Sequence, residues 1–169
     1  MDNDLLYKIA LTKVSNIGDI QARILIETFQ TAKAVFEVPR KRLEKTEGIG
    51  TIRANSIKHF KDFRICEKEI NFLEKHKIQA IAFNSDEYPQ KLLRSEDCPL
   101  LIYFKGNVNI NQFKIISIVG TRLNSEYGKD CCERLIKDLI NQDIIIASGL
   151  AYGIDTIAHR ASLKNGLTT

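Results

Sequence analysis

The residue pattern predicts an α/β chain in two parts: a helical domain over residues 1–76, then the opening of a parallel α/β domain over residues 77–169. Three observations carry this. The first 76 residues have helical apolar spacing around two similar glycine-bearing turns. From Ile78 onward, short apolar runs alternate with polar turns and helical stretches. Two of those runs, Lys114–Gly120 and Ile144–Ser148, pass directly into a glycine turn and a helix start. A parallel sheet uses that arrangement to place backbone N–H groups and helix N-termini around an anion at its strand ends.

In the helical part, Val14-Ser-Asn-Ile-Gly18-Asp-Ile-Gln-Ala22 aligns with Thr46-Glu-Gly-Ile-Gly50-Thr-Ile-Arg-Ala54. Ile17 matches Ile49, Gly18 matches Gly50 and Ala22 matches Ala54. Leu5, Ile9 and Val14 precede the first copy at helical spacing, and Phe29 follows it. The pair resembles a tandem helix-hairpin-helix (SAM-like) unit, in which a glycine turn joins two helices and a small alanine lets them cross closely. Asn16 stands where the first glycine of copy one belongs, and asparagine tolerates the positive φ such a turn needs. Turn N–H groups at a helix start can hold a nucleic-acid phosphate. Against that, Asp19 and Glu47 lie beside the turns and only Arg53 adds a cation. DNA contact and protein docking both remain open for this part.

Lys58 to His76 reads as helix, with Phe63, Ile70 and Leu73 inward. Ile78–Phe83 alternates as a strand, Asn84–Glu87 is turn-like, and Tyr88-Pro89 opens a short helix through Leu92 and Leu93. Leu100–Phe104 is the next strand, ended by Lys105-Gly106. After Lys114–Val119 and its turn, Asn124 or Ser125 is a natural N-cap. The following helix carries Tyr127, Cys131, Leu135 and Leu139 at four-residue spacing. Ile144–Ala147 is then a strand, ending in Ser148-Gly149, and a helix opens beyond Gly153.

Composition limits the function classes. With 44% apolar and 27% charged residues, the chain has the make-up of a globular protein. No apolar run approaches the roughly 20 residues that span a bilayer, and the acidic start Met1-Asp-Asn-Asp is unlike a signal peptide, so a cytoplasmic protein is expected. The net charge of +4 admits a polyanionic partner without requiring one. Cys66, Cys98, Cys131 and Cys132 lack metal-ligand spacing and read as free thiols.

Arg122 follows the first strand–glycine turn, where its planar guanidinium suits bidentate capture of phosphate. Ser148 and Gly149 are expected to turn their N–H groups outward, and Gly153 to allow close approach. Asp155 and His159 share a helix face; without a nucleophile they read as a helix buttress and a local hydrogen-bonding group. A dinucleotide fingerprint, a P-loop and the common hydrolase motifs are missing, so no cofactor or catalytic residue is assigned.

Val119-Gly120-Thr121-Arg122 with Tyr127-Gly128, and Ser148-Gly-Leu-Ala-Tyr-Gly153-Ile-Asp155 with Ala158-His159, resemble the DNA-processing protein A (DprA/Smf) family. Tyr88-Pro89, Cys98-Pro99 and Gly106 fit the family's lead-in to that region. The resemblance implies an extended Rossmann-like domain, here truncated, behind a helical front domain. It implies a non-enzymatic protein of DNA processing and natural transformation that binds and protects single-stranded DNA. The implied partners are that DNA and the RecA recombinase, and the implied state is a homodimer. By the same match Gly120, Thr121 and Arg122 contact a phosphate, with Ser148, Gly149 and Gly153 shaping the pocket. Thr121 replaces the family's usual serine and keeps the hydroxyl. Because the family pattern continues past Thr169, the chain reads as an N-terminal fragment. The competing reading is a nucleotide-phosphate hydrolase of the phosphoribohydrolase type, whose proline–glycine–glycine–x–glycine–threonine loop does not occur here.

Overall fold

The computed structural model describes residues 4–169. The chain is α/β and divides into two units, one running through Asn107 and one spanning Val108–Thr169.

The first unit contains helices α1 (Leu5–Lys13), α2 (Asp19–Phe29), α3 (Ala32–Glu37), α4 (Arg40–Glu44), α5 (Gly50–His59) and α6 (Phe63–His76). Strand β1 (Gln79–Ala82), a 3-10 turn at Leu92–Arg94 and strand β2 (Leu101–Phe104) complete it. Helix α2 buries Ala22, Leu25, Ile26 and Phe29, the i, i+3, i+4, i+7 stripe of an amphipathic helix. The Asp4 carboxylate accepts from the N–H groups of Ala32 and Lys33 at 3.2 and 2.8 Å. It thus joins the start of α1 to that of α3, whose N-cap Thr31 accepts from Ala34. The helix expected from Lys58 to His76 is broken: α5 closes at His59 and α6 starts at Phe63.

The two similar turns adopt related backbones. Asn16 (φ 66°) and Gly48 (φ 74°) both take the left-handed conformation, while the matched Ile17, Ile49, Ala22 and Ala54 are buried. Gly50 is left-handed and Gly18 is not, so the copies diverge at that position. Arg53 binds the turns together, donating from Nε to Asn16 O (3.0 Å) and from Nη1 to Gly48 O (2.8 Å).

The expected boundary between residues 76 and 77 moves to 107/108, because β1 and β2 belong with the helices. They pair antiparallel, Gln79 opposite Phe104 through Ala82 opposite Leu101. Ala82, Leu100 and Leu101 enter the same apolar core as Ile9, Leu25 and Ile57. Polar contacts fasten the segment too. Asp19 accepts from Leu100 N–H at 2.8 Å, and Arg23 donates to the Cys98 sulfur while lying over the Phe83 ring. Buried Tyr88 donates to Pro99 O, and Tyr103 donates to Glu69, which also pairs with Lys13 at 2.9 Å.

The second unit has β3 (Lys114–Ser117), α7 (Glu126–Asp138), β4 (Ile144–Ala147) and α8 (Ile154–Lys164). Strands β3 and β4 are parallel, Lys114 opposite Ile144 through Ser117 opposite Ala147. On the other edge of β4, Thr168 makes a parallel bridge with Ile145. Ile118, Cys132, Ile136, Ile146, Ala158 and Leu167 form the core. Ser125 caps α7, its Oγ accepting from Gly128 N–H. The inward face of α7 is not the predicted row. Cys132 and Ile136 are buried, whereas Tyr127 is 75% and Leu135 46% exposed, and only Leu139 of that row packs on the core. The four cysteines are free thiols. Among the described residues no helix is long and apolar enough to cross a membrane.

Burial raises the pKa of Glu69, but the Tyr103 hydroxyl and the Lys13 ammonium outweigh it and hold the carboxyl below its usual value. A depressed acid stabilises the fold fully above its unfolded pKa, about 4.3, and that contribution fades as pH falls through the folded value. Urea midpoints should therefore drop more steeply between about pH 5 and about pH 3 for the native chain than for Glu69→Gln. Parallel curves would show that the Glu69 contacts do not stabilise the docked strands.

Candidate functional site

All six residues singled out from the sequence lie in the second unit, on the loops that leave the carboxyl ends of β3 and β4. In a parallel sheet both loops open on the same side, beside the N-termini of the helices that follow. Here they also touch. Gly153, at φ 82° and ψ −130°, lies against the backbone of Thr121 and Arg122. A Cβ at Gly153 would sit 2.6 Å from Arg122 O and inside contact distance of Thr121 O, so no other residue fits. The next amide, Ile154 N–H, donates to Thr121 O at 3.2 Å. Gly120 is held as closely, since a Cβ there would lie 2.6 Å from Cβ of Ile154. Ser148 adds a third tie, its hydroxyl donating to Ile118 O at 2.7 Å.

Asp155 organises the second loop. Its buried carboxylate oxygen Oδ2 accepts from Gly149 N–H (3.0 Å) and Ala151 N–H (3.4 Å). Thr156 Oγ donates to Ala151 O at 2.6 Å, closing the turn from below. Leu150, between the two captured amides, is left-handed at φ 56°. This corrects one expectation: the Gly149 N–H points inward to Asp155, not outward to a ligand, because a buried carboxylate six residues on must be satisfied. The expected buttress role of Asp155 is what the geometry displays. His159 does not bond Asp155; its Nδ1 lies 2.6 Å from Thr169 Oγ.

The first loop keeps its donors open. The Thr121 hydroxyl bonds back to Leu123, folding the loop on itself. Among the described residues, the N–H groups of Gly120, Thr121 and Arg122 have no hydrogen-bond partner. The exposed Arg122 guanidinium likewise has no ion pair or hydrogen bond among them. Three amides and an unpaired guanidinium at a strand end can take an anion with several oxygens. Beside them, Ser148 spends its hydroxyl on Ile118 O, Gly149 its N–H on Asp155, and Gly153 packs on the Thr121–Arg122 backbone.

One feature had no signal in the pattern of charged and glycine residues. Val119, Leu123, Leu150 and Tyr152 are each more than 80% exposed on these two loops, with Tyr127 close behind at the start of α7. Exposed apolar side chains are thus carried on both loops, beside the open donors of the first. Among the described residues, no three His, Cys, Asp or Glu side chains are grouped to hold a metal ion.

Residues 79–169 match the family described as DNA recombination-mediator protein A. Over 93 residues the chain is 40% identical to the DNA processing protein DprA of Streptococcus pneumoniae, covering 55% of this chain and 33% of that protein. It is 38% identical over 88 residues to DprA of Bacillus subtilis, covering 52% and 30%. A longer match, 26% identical, joins 96% of this chain to 42% of protein Smf of Synechocystis. The chain thus spans about a third of the length of the first two curated relatives. The X-ray structure of DprA from Streptococcus pneumoniae is similar over 96% of this chain and 55% of that one, with a TM-score of 0.65 and 27% identity.

Gly153→Ala should lower the unfolding free energy by roughly 2–4 kcal/mol, since it adds both a positive-φ penalty and a clash with two carbonyls. Urea denaturation checks it. A change within about 0.5 kcal/mol, the range of ordinary surface substitutions, would mean that the two loops do not meet.

Proposed function

The chain belongs to the DNA recombination-mediator protein A family, and from that premise we propose that it binds single-stranded DNA at the paired loops and presents it to a RecA-type recombinase, without chemical turnover. The observation that carries this reading is the open edge formed by Arg122 and the three free amides of residues 120–122, which suits a backbone phosphate. The exposed apolar residues beside it favour a single strand over a duplex. Unpaired bases offer faces that Tyr152, Leu123 and Leu150 can meet, whereas duplex bases are stacked away. The finer architecture follows from the same reading: the second unit is the opening part of an extended Rossmann-like domain, and the linked turns of the first are tandem helix-hairpin-helix motifs. RecA as partner, a homodimeric state and a cytoplasmic setting rest on the family likeness alone.

Arg53, the cation of the hairpin turns, is engaged with two backbone carbonyls. Asp19 is engaged with Leu100. The reading therefore assigns the main phosphate contact to the loops of the second unit and not to the hairpins.

Arg122→Ala should weaken oligothymidine binding by about 1.5–3 kcal/mol, the range for a hydrogen bond to a charged group. The slope of log affinity against log salt should fall by about 0.7 for one lost phosphate contact. Fluorescence anisotropy at two salt concentrations measures both, with circular dichroism as the control for folding. Undiminished affinity with an intact spectrum would remove Arg122 from the interface.

A further inference from the structure

Helices α7 and α8 pack side by side, and a groove of about 190 Å³ runs between them on their outer surface. Its α7 wall carries Lys129, Glu133 and Lys137, spaced four residues apart, and its α8 wall carries Arg160 and Lys164. Ile157 and Ala161 form an apolar floor. Lys129 pairs with Glu126 on its own helix at 3.4 Å. Lys137, Arg160 and Lys164 are exposed and have no ion pair or hydrogen bond among the described residues. Two cations on each wall and a single lining carboxylate, Glu133 on the α7 wall, leave a net positive trough. Neither the paired loops nor the fold requires it.

The groove lies along the same two helices whose starts carry the loop site. Lys129 lies one turn past the Ser125 cap that ends the Arg122 loop, and Ile157 lies one turn past Ile154, which seats Gly120. From that mouth the trough runs to Lys137 and Lys164, about 12 Å along the helices at 1.5 Å per residue. That length admits a short run of nucleotides. We propose that the α7–α8 groove is a second phosphodiester-binding track, which receives the DNA strand as it leaves the paired loops. Its chemistry is sequence-independent: flexible ammonium groups and one guanidinium neutralise phosphates, and the apolar floor accommodates sugar faces. The proposal rests on the reading of the loops as a single-strand site, and it extends that site along one defined direction.

The test is anisotropy with oligothymidines of about 4 and about 16 nucleotides, spanning the known range of short single-strand sites. The variant is Lys137→Gln/Arg160→Gln/Lys164→Gln, with neutral glutamines chosen so that the helices keep good formers. Expected is at least a tenfold loss for the long oligonucleotide, a salt slope lower by about 2, and no change for the short one. Arg122→Ala should weaken both lengths. A second variant, Arg160→Gln alone, should give a partial loss for the long oligonucleotide with an unchanged circular dichroism spectrum. Wild-type affinity and salt slope of the triple variant for the long oligonucleotide would overturn the track. So would an acidic helical peptide that binds the native groove, is lost in the variant and leaves oligonucleotide binding untouched. If Arg122→Ala leaves the short oligonucleotide bound as before, the loop reading fails, and the groove is then judged by the long oligonucleotide alone.

Discussion

The contact between Gly153 and the backbone of Thr121 and Arg122 governs the second unit. Without a side chain at residue 153, two loops that leave neighbouring strands can lie in van der Waals contact. With them in contact, Ile154 can cap Thr121 O and cover Gly120, and the Arg122 loop is held by packing on one side only. The N–H groups of residues 120–122 are left with no partner among the described residues. Asp155 takes two donors of the second loop, the N–H groups of Gly149 and Ala151, and so braces that loop from within.

The first unit disposes of its charges differently. Asp19, Arg23, Arg53 and Glu69 are each engaged by their own chain. These contacts fasten β1 and β2 to the helices and link the two hairpin turns. Charge used inside a unit is not available to a phosphate. Arg122, Lys137, Arg160 and Lys164 of the second unit have no such partner among the described residues, and the proposed DNA contact uses them.

Local patterns in the sequence were the legible ones. A strand running into a glycine turn and a capped helix is written in consecutive residues, so β3, β4, Ser125 and the six loop residues could be read directly. Asn16 as a glycine substitute was legible for the same reason, its left-handed backbone being a property of one residue. What escaped depends on distant partners. Asp19 meets Leu100 across 81 residues, so nothing near residue 77 reveals that the strands belong to the helical unit. The four-residue spacing of Tyr127 and Leu135 fits an inward or an outward stripe equally well, and the packing of Cys132 and Ile136 against the sheet decides it. The inward turn of Gly149 N–H follows from the burial of Asp155, which spacing alone does not reveal.

The central claim is that the open amides of the Arg122 loop are where a DNA phosphate sits. Amide chemical-shift mapping of the chain with a short oligothymidine tests it most directly, because each N–H reports separately. The account predicts the largest shifts at Gly120, Thr121 and Arg122, with small ones at Gly149 and Ala151, whose protons remain with Asp155. Shifts concentrated at Asn16–Gly18 and Gly48–Gly50, with the Arg122 loop unmoved, would contradict it and place DNA contact on the hairpin turns.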